Sequence, residues 1–153
     1  VQGLYKPAKL QLRCSMENFL KSLIMIDTPA IIQEKSVYAI FDAAKDDSHF
    51  GTLIGQTCVD SLHNDYATLC RTVHGDPKVM QPTSALSMLP QYDKVSQQEV
   101  SSIYVRTIES CLGILYLNFP AVVDQMHPDN KKDFLDCLAK ATKGDVVNTL
   151  YDD

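Results

Sequence analysis

Apolar residues recur along this chain at three- and four-residue intervals, in stretches that stop at a breaker and start again at once. The first stretch predicts a helix from about Pro7 to Ile26, with Leu12, Met16, Phe19, Leu20 and Leu23 on one face. Asp27-Thr28-Pro29 closes it and opens another, with Thr28 as N-cap and Pro29 at the first helical position. That second helix carries Ile32, Val37, Ile40, Phe41 and Ala44, and gives out in Lys45-Asp46-Asp47. Ser48 is expected to cap a third, whose stripe runs through Phe50, Ile54, Cys58, Leu62, Tyr66, Leu69 and Val73 to Gly75. This helix is either unbroken or starts afresh at Asn64.

Over residues 76–95 the periodicity fails. Pro77, Pro82 and Pro90 forbid a long helix there, so the segment reads as a connector. Ser96-Gln97-Gln98-Glu99 then has the form of a capping box. Behind it, Val100, Ile103, Tyr104, Thr107, Ile108, Cys111, Leu112 and Leu115 spread over more than half of the helix circumference once Val105, Ile114 and Tyr116 join them. A helix apolar on most sides is packed on most sides, which predicts the central helix of the domain. Its narrow polar strip holds Ser102, Arg106, Glu109, Ser110 and Gly113. Asn118-Phe119-Pro120 ends it, and a short turn follows through Met126. His127-Pro128 opens a helix carrying Phe134, Leu135, Leu138 and Ala141 up to Gly144, and Asp145 caps a last run with Val146, Val147 and Leu150. No strand-like alternation occurs. The expectation is an all-α single domain over residues 1–153, a compact bundle of about six to seven helices.

Composition narrows the setting. A chain of 153 residues can bury a core without staples. Against 19 Asp+Glu stand 14 Lys+Arg, and the densest basic point, Lys131-Lys132, lies between Asp129 and Asp133. That argues against nucleic acid as a partner, which requires clustered basic charge. The five cysteines are odd in number, lack CxxC spacing and sit inside apolar runs, so they read as buried reduced thiols in a cytoplasmic or nuclear protein. The run Leu23–Ile26 is too short to span a bilayer, and no membrane insertion is expected. Beginning at Val1 and ending just after a helical pattern, the sequence reads as a piece cut from a longer chain.

Two stretches carry a family likeness. One is Gln33-Glu34-Lys35-Ser36-Val37-Tyr38-Ala39-Ile40. The other runs from Val105-Arg106-Thr107-Ile108 through Cys111-Leu112-Gly113-Ile114-Leu115 to Asn118-Phe119-Pro120, with Ala121-Val122-Val123 opening the next helix. They resemble degenerate armadillo or HEAT repeats. The resemblance implies stacked helices presenting a concave surface to a protein partner. The sequence departs from it in period, because the repeat anchors at Tyr38, Tyr66, Glu109 and Leu135 are unevenly spaced. An irregular solenoid and a closed bundle both remain open on this reading.

Candidate chemistry is sparse. Cys58, His63, Cys70 and His74 are the right residue types for a zinc site, with Cys70 and His74 one helical turn apart. The competing reading is core thiols, with His74 favouring a helix C-terminus. A Cys70–His74–Asp76 nucleophile set lacks an evident oxyanion partner. No glycine-rich phosphate loop is present, no cofactor is expected, and Asp46-Asp47 reads as a solvated helix end. What remains is surface. Arg106, Glu109, Ser110 and Gly113 are the predicted partner-binding residues, lining a helix-borne groove in which Gly113 lets a peptide backbone approach. Arg106→Glu is then expected to spare folding and weaken binding. The function expected is a noncatalytic protein–protein interaction domain of a larger scaffold or regulatory protein. Self-association through Leu4, Tyr5, Met25 and Ile26 is the alternative, and an accessory domain of an enzyme comes third.

Overall fold

The computed structural model describes residues 4–73 and 92–138. Every regular element among them is helical. Helix α1 spans Tyr5–Ile24, α2 Val37–Asp46, α3 Leu53–Val73, α4 Lys94–Asn118, α5 Pro120–Asp124 and α6 Pro128–Asp136. Two 3-10 turns, Pro29–Gln33 and Ser48–Phe50, precede α2 and α3.

Helix α1 follows its stripe closely: Leu12, Met16, Leu20, Leu23 and Ile24 are all buried. Pro29 begins a 3-10 turn rather than the second α-helix, and Thr28 makes no side-chain cap. Lys21 Nζ donates to the Glu34 carbonyl at 2.6 Å and ties this turn back to α1. The second α-helix starts only at Val37, capped by the Ser36 hydroxyl. Likewise Ser48 caps nothing. Asp47 Oδ1 accepts from the His49 amide at 2.9 Å, and α3 starts five residues later, where Thr52 Oγ1 accepts from the Gly55 amide.

No break occurs at His63-Asn64-Asp65, because these residues have partners that a straight helix delivers. The His63 ring stacks on Phe41, with centroids 4.6 Å apart. Asp65 reaches α4, and Tyr66 reaches α1. Helix α4 begins earlier than its Ser96 box predicts. Asp93 is the cap, accepting from the Ser96 amide at 2.7 Å, so Lys94 and Val95 belong to the helix and not to the 76–95 connector. The rest of that connector lies outside the described residues, as do Ala141 and the predicted last run beyond Asp145.

The centre of the domain is α3, not α4. It touches α1, α2 and α4, and its Val59, Leu62 and Leu69 are fully buried. Helix α4 lays Val100, Ile103, Thr107, Ser110 and Ile114 against α3 and α1, but leaves Tyr104 and Val105 exposed. The apolar arc misleads here because its two sides have different fates. One enters the main core, while the C-terminal half of the other meets a small second cluster of Tyr116, Val123, Leu138, Phe134 and Leu135.

Candidate functional site

The four predicted partner-binding residues do not share one exposed face. Ser110 and Gly113 are buried. Arg106 is engaged by α3: its Nε and Nη2 donate to the two carboxylate oxygens of Asp65 at 3.0 and 2.6 Å. This fork is the strong form of an ion pair, planar on both sides and charge-assisted. The Asp65 carboxylate raises the Arg106 pKa further, with burial opposing it. Glu109 is half-buried. Of the residues expected to line a groove, Arg106 instead bridges α4 to α3.

The cysteine and histidine set is not brought together. Twelve residues of continuous helix separate Cys58 from Cys70, about 18 Å at 1.5 Å per residue, too far for one ion. Cys58 belongs to the core and His63 lies on Phe41. His74, and with it Asp76, lies outside the described residues. All five cysteines are free, Cys14 and Cys137 exposed and Cys58 buried. Burial pushes the Cys58 thiol up, and it takes the Cys111 thiol to about 12, with Cys58 nearby as a smaller cause. Neither is an activated thiolate.

A second polar junction joins α1 to α3. Tyr66 donates its hydroxyl hydrogen to Glu17 Oε1 at 2.7 Å and accepts from Arg13 Nη2 at 2.9 Å. The Arg13 guanidinium lies 4.9 Å from the centroid of the same ring, within cation–π range. Burial foremost, then the Glu17 carboxylate, moves the phenol up to about 12. Asp65 and Tyr66, adjacent on α3, thus fasten α4 and α1 respectively. A third junction closes the far end of α1, where the buried Lys9 ammonium meets Glu99 of α4 and the Tyr5 hydroxyl accepts from the Asp93 amide at 2.9 Å.

Three further side chains, Asp27, Asp47 and His49, come together in the fold. Asp27 follows α1, and Asp47 and His49 flank Ser48 in the turn before α3. One ligand atom from each of the three lies within 4.8 Å of the other two. His49 Nδ1 is 2.9 Å from Asp47 Oδ1 and 3.7 Å from Asp27 Oδ2. The backbone of His49 is held as well, its carbonyl accepting from Asn118 Nδ2 at the end of α4 at 2.8 Å. The sequence signal was the short spacing Asp47-Ser48-His49. The third member, twenty residues upstream, has no local signature.

Large apolar side chains are exposed at several places among the described residues, Leu53, Tyr38, Tyr92 and Val122 among them. On α4, Val95, Tyr104 and Val105 are 73%, 55% and 51% exposed. Around the α1 C-terminus Met25, Ile26 and Ile32 are exposed beside an open depression of about 340 Å³ lined by Thr28, Ala30, Ile31, Gln33 and Glu34. Leu4 is exposed at the opposite end of the twenty-residue α1, about 30 Å away along the helix. The four residues predicted for a dimer contact are thus not one patch, and Tyr5 is engaged with Asp93. By length and composition alone, α4 is apolar enough to cross a membrane.

No protein-family model matches the chain, and comparison with curated proteins and with solved structures gave no match.

Proposed function

We propose that this chain is a noncatalytic protein-interaction domain whose partner docks on the outer face of α4. The supporting observation is the pair Tyr104 and Val105, left half in water on a helix whose opposite face is core. Covering the exposed half of a valine is worth about 1 kcal/mol, so such a face contributes to association. The occupant proposed is an amphipathic helix of another protein, laid along α4 by its apolar side. This keeps the interaction role expected from the sequence and moves its surface from Arg106, Glu109, Ser110 and Gly113 to the neighbouring face.

An armadillo- or HEAT-like stacking belongs to the same reading as its finer form. In its favour, consecutive helices pack together, α1 on α2 and α3 on α4. Against it stands the contact of α1 with α4, since solenoid units touch only their neighbours. A scaffold or regulatory role, and a cytoplasmic or nuclear setting, complete the proposal. The free cysteines suit a reducing compartment.

Affinity purification with the wild-type chain, Val105→Glu and the control Lys35→Glu tests the surface. The expected result is a partner retained by wild type and control and lost with Val105→Glu. Recovery of the same partners by all three removes the α4 face from consideration. Sedimentation of the wild-type chain tests self-association, the second reading, for which exposed Met25 and Ile26 at one end of α1 remain. A concentration-independent monomer excludes it. Flotation with phospholipid vesicles separates a protein-binding α4 from a membrane-binding one: protein that stays with the aqueous fraction supports the proposal, and co-flotation overturns it.

A further inference from the structure

Independently of the α4 surface, the turns on either side of α2 place two carboxylates and an imidazole around one point. We infer that Asp27, Asp47 and His49 form a binding site for a first-row divalent cation of the zinc type. The two distances from His49 lie close to those a small ion requires. With bonds of about 2.0–2.1 Å, neighbouring ligand atoms sit roughly 3.0 Å apart in an octahedral site and roughly 3.3 Å apart in a tetrahedral one. The His49 Nδ1 separations of 2.9 Å to Asp47 and 3.7 Å to Asp27 bracket both values. An ion takes the place of the direct His49 Nδ1–Asp47 Oδ1 contact, and only Asp27 has to adjust. Its side chain is 60% exposed and free to do so, whereas those of His49 and Asp47 are largely enclosed, at 15% and 7%.

Charge and ligand type select the ion. Two carboxylates and a neutral imidazole balance a divalent cation. The nitrogen donor favours zinc, iron, nickel or copper over magnesium, calcium and manganese, which prefer oxygen ligands. Three ligands leave room for water or an exogenous group on the exposed Asp27 side, where the Ser48 hydroxyl stands 3.4 Å from Asp27 Oδ2. The supports are built in. Asp47 also accepts from the His49 amide, and Asn118 holds the His49 carbonyl, so the imidazole is anchored by both the turn and the end of α4. Occupancy would link the α1 end to the entrance of α3 and stabilise the folded state by mass action.

Equilibrium dialysis of the full chain against zinc chloride, with Asp27→Asn as the comparison, tests the site. Asp27 is exposed, so the variant is expected to fold normally. One bound zinc per chain is expected, with affinity weakened about tenfold or more in Asp27→Asn, the scale seen when metal sites lose a supporting group. A zinc-dependent rise in melting temperature should vanish in the same variant. Cobalt(II) supplies a second readout: visible d–d bands without a thiolate-to-metal charge-transfer band. No zinc binding by wild type, equal affinities for wild type and Asp27→Asn, or a thiolate band placing the metal on cysteine would each overturn the inference. His49→Gln, checked for native circular dichroism, should likewise lose zinc. A folded His49→Gln chain with unchanged affinity would equally refute it.

Discussion

Arg106 on α4 grips both carboxylate oxygens of Asp65 on α3, and Asp65 is 94% enclosed by the fold while the guanidinium is half in water. The asymmetry decides what substitution does. Removing the arginine strands a desolvated carboxylate, whereas the exposed half of the pair contributes little by itself. Arg106→Ala is expected to destabilise the domain by about 1–3 kcal/mol in urea denaturation. Arg106→Glu should cost more, because it sets a second negative charge against Asp65. This reverses the outcome expected from reading Arg106 as a free surface contact.

Gly55 gives a case in which helix propensity predicts the wrong sign. Alanine is intrinsically better than glycine in a helix by about 1 kcal/mol. A Cβ on Gly55, however, would lie 2.8 Å from the Phe50 carbonyl oxygen, which is backbone and also accepts from Gln56. Gly55→Ala is therefore expected to lower stability by about 1–3 kcal/mol. A raised melting temperature in that variant would show that the turn before α3 can give way.

The position of α3 at the centre is testable by truncation. Leu62 is fully buried in the main core, whereas Leu112 on α4 is only partly buried beside the small second cluster. Leu62→Ala should cost about 2–5 kcal/mol in chemical denaturation, and Leu112→Ala distinctly less. Equal losses would restore α4 to the central place its apolar arc suggests.

Alkaline titration should register the α1–α3 junction. The Tyr66 phenol is raised from 10.0 to about 12 by burial first, so the folded state holds its proton more tightly than the unfolded chain. The stability this contributes is complete below pH 10 and is lost as pH climbs towards 12. Cys111, raised from 9.0 to about 12 by burial, adds a loss that begins near pH 9. Near-ultraviolet titration should find two late-ionising tyrosines, Tyr66 and Tyr116, both raised by burial, and Tyr66→Phe should remove one of them.

Thiol labelling offers a simpler check. At neutral pH the exposed Cys14 and Cys137 should react quickly with an aromatic disulfide reagent. Cys58 and Cys111, kept protonated by burial, should react at the rate of opening. Fast reaction of all five would mean that the α3–α4 seam is open.

The sequence by itself determined that the chain is helical and which face of α1 and α3 is buried, because a 3.6-residue period can be satisfied only by a helix with one dry side. It also located Pro29 and Pro120 as punctuation, since a missing amide acts locally. Cap identities slipped by a few residues: Asp93 and Thr52 displaced Ser96 and Ser48, as several hydroxyls and carboxylates near each helix start compete for the same amides. Only the tertiary structure decided which side of α4 faces the core. Apolar residues surround that helix, and the choice was made by partners distant in sequence, such as Asp65 of α3 for Arg106. The meeting of Asp27 with Asp47 and His49 was equally hidden. It depends on how α2 carries the chain back past the end of α1, and pairwise distances between turns leave no trace in local periodicity.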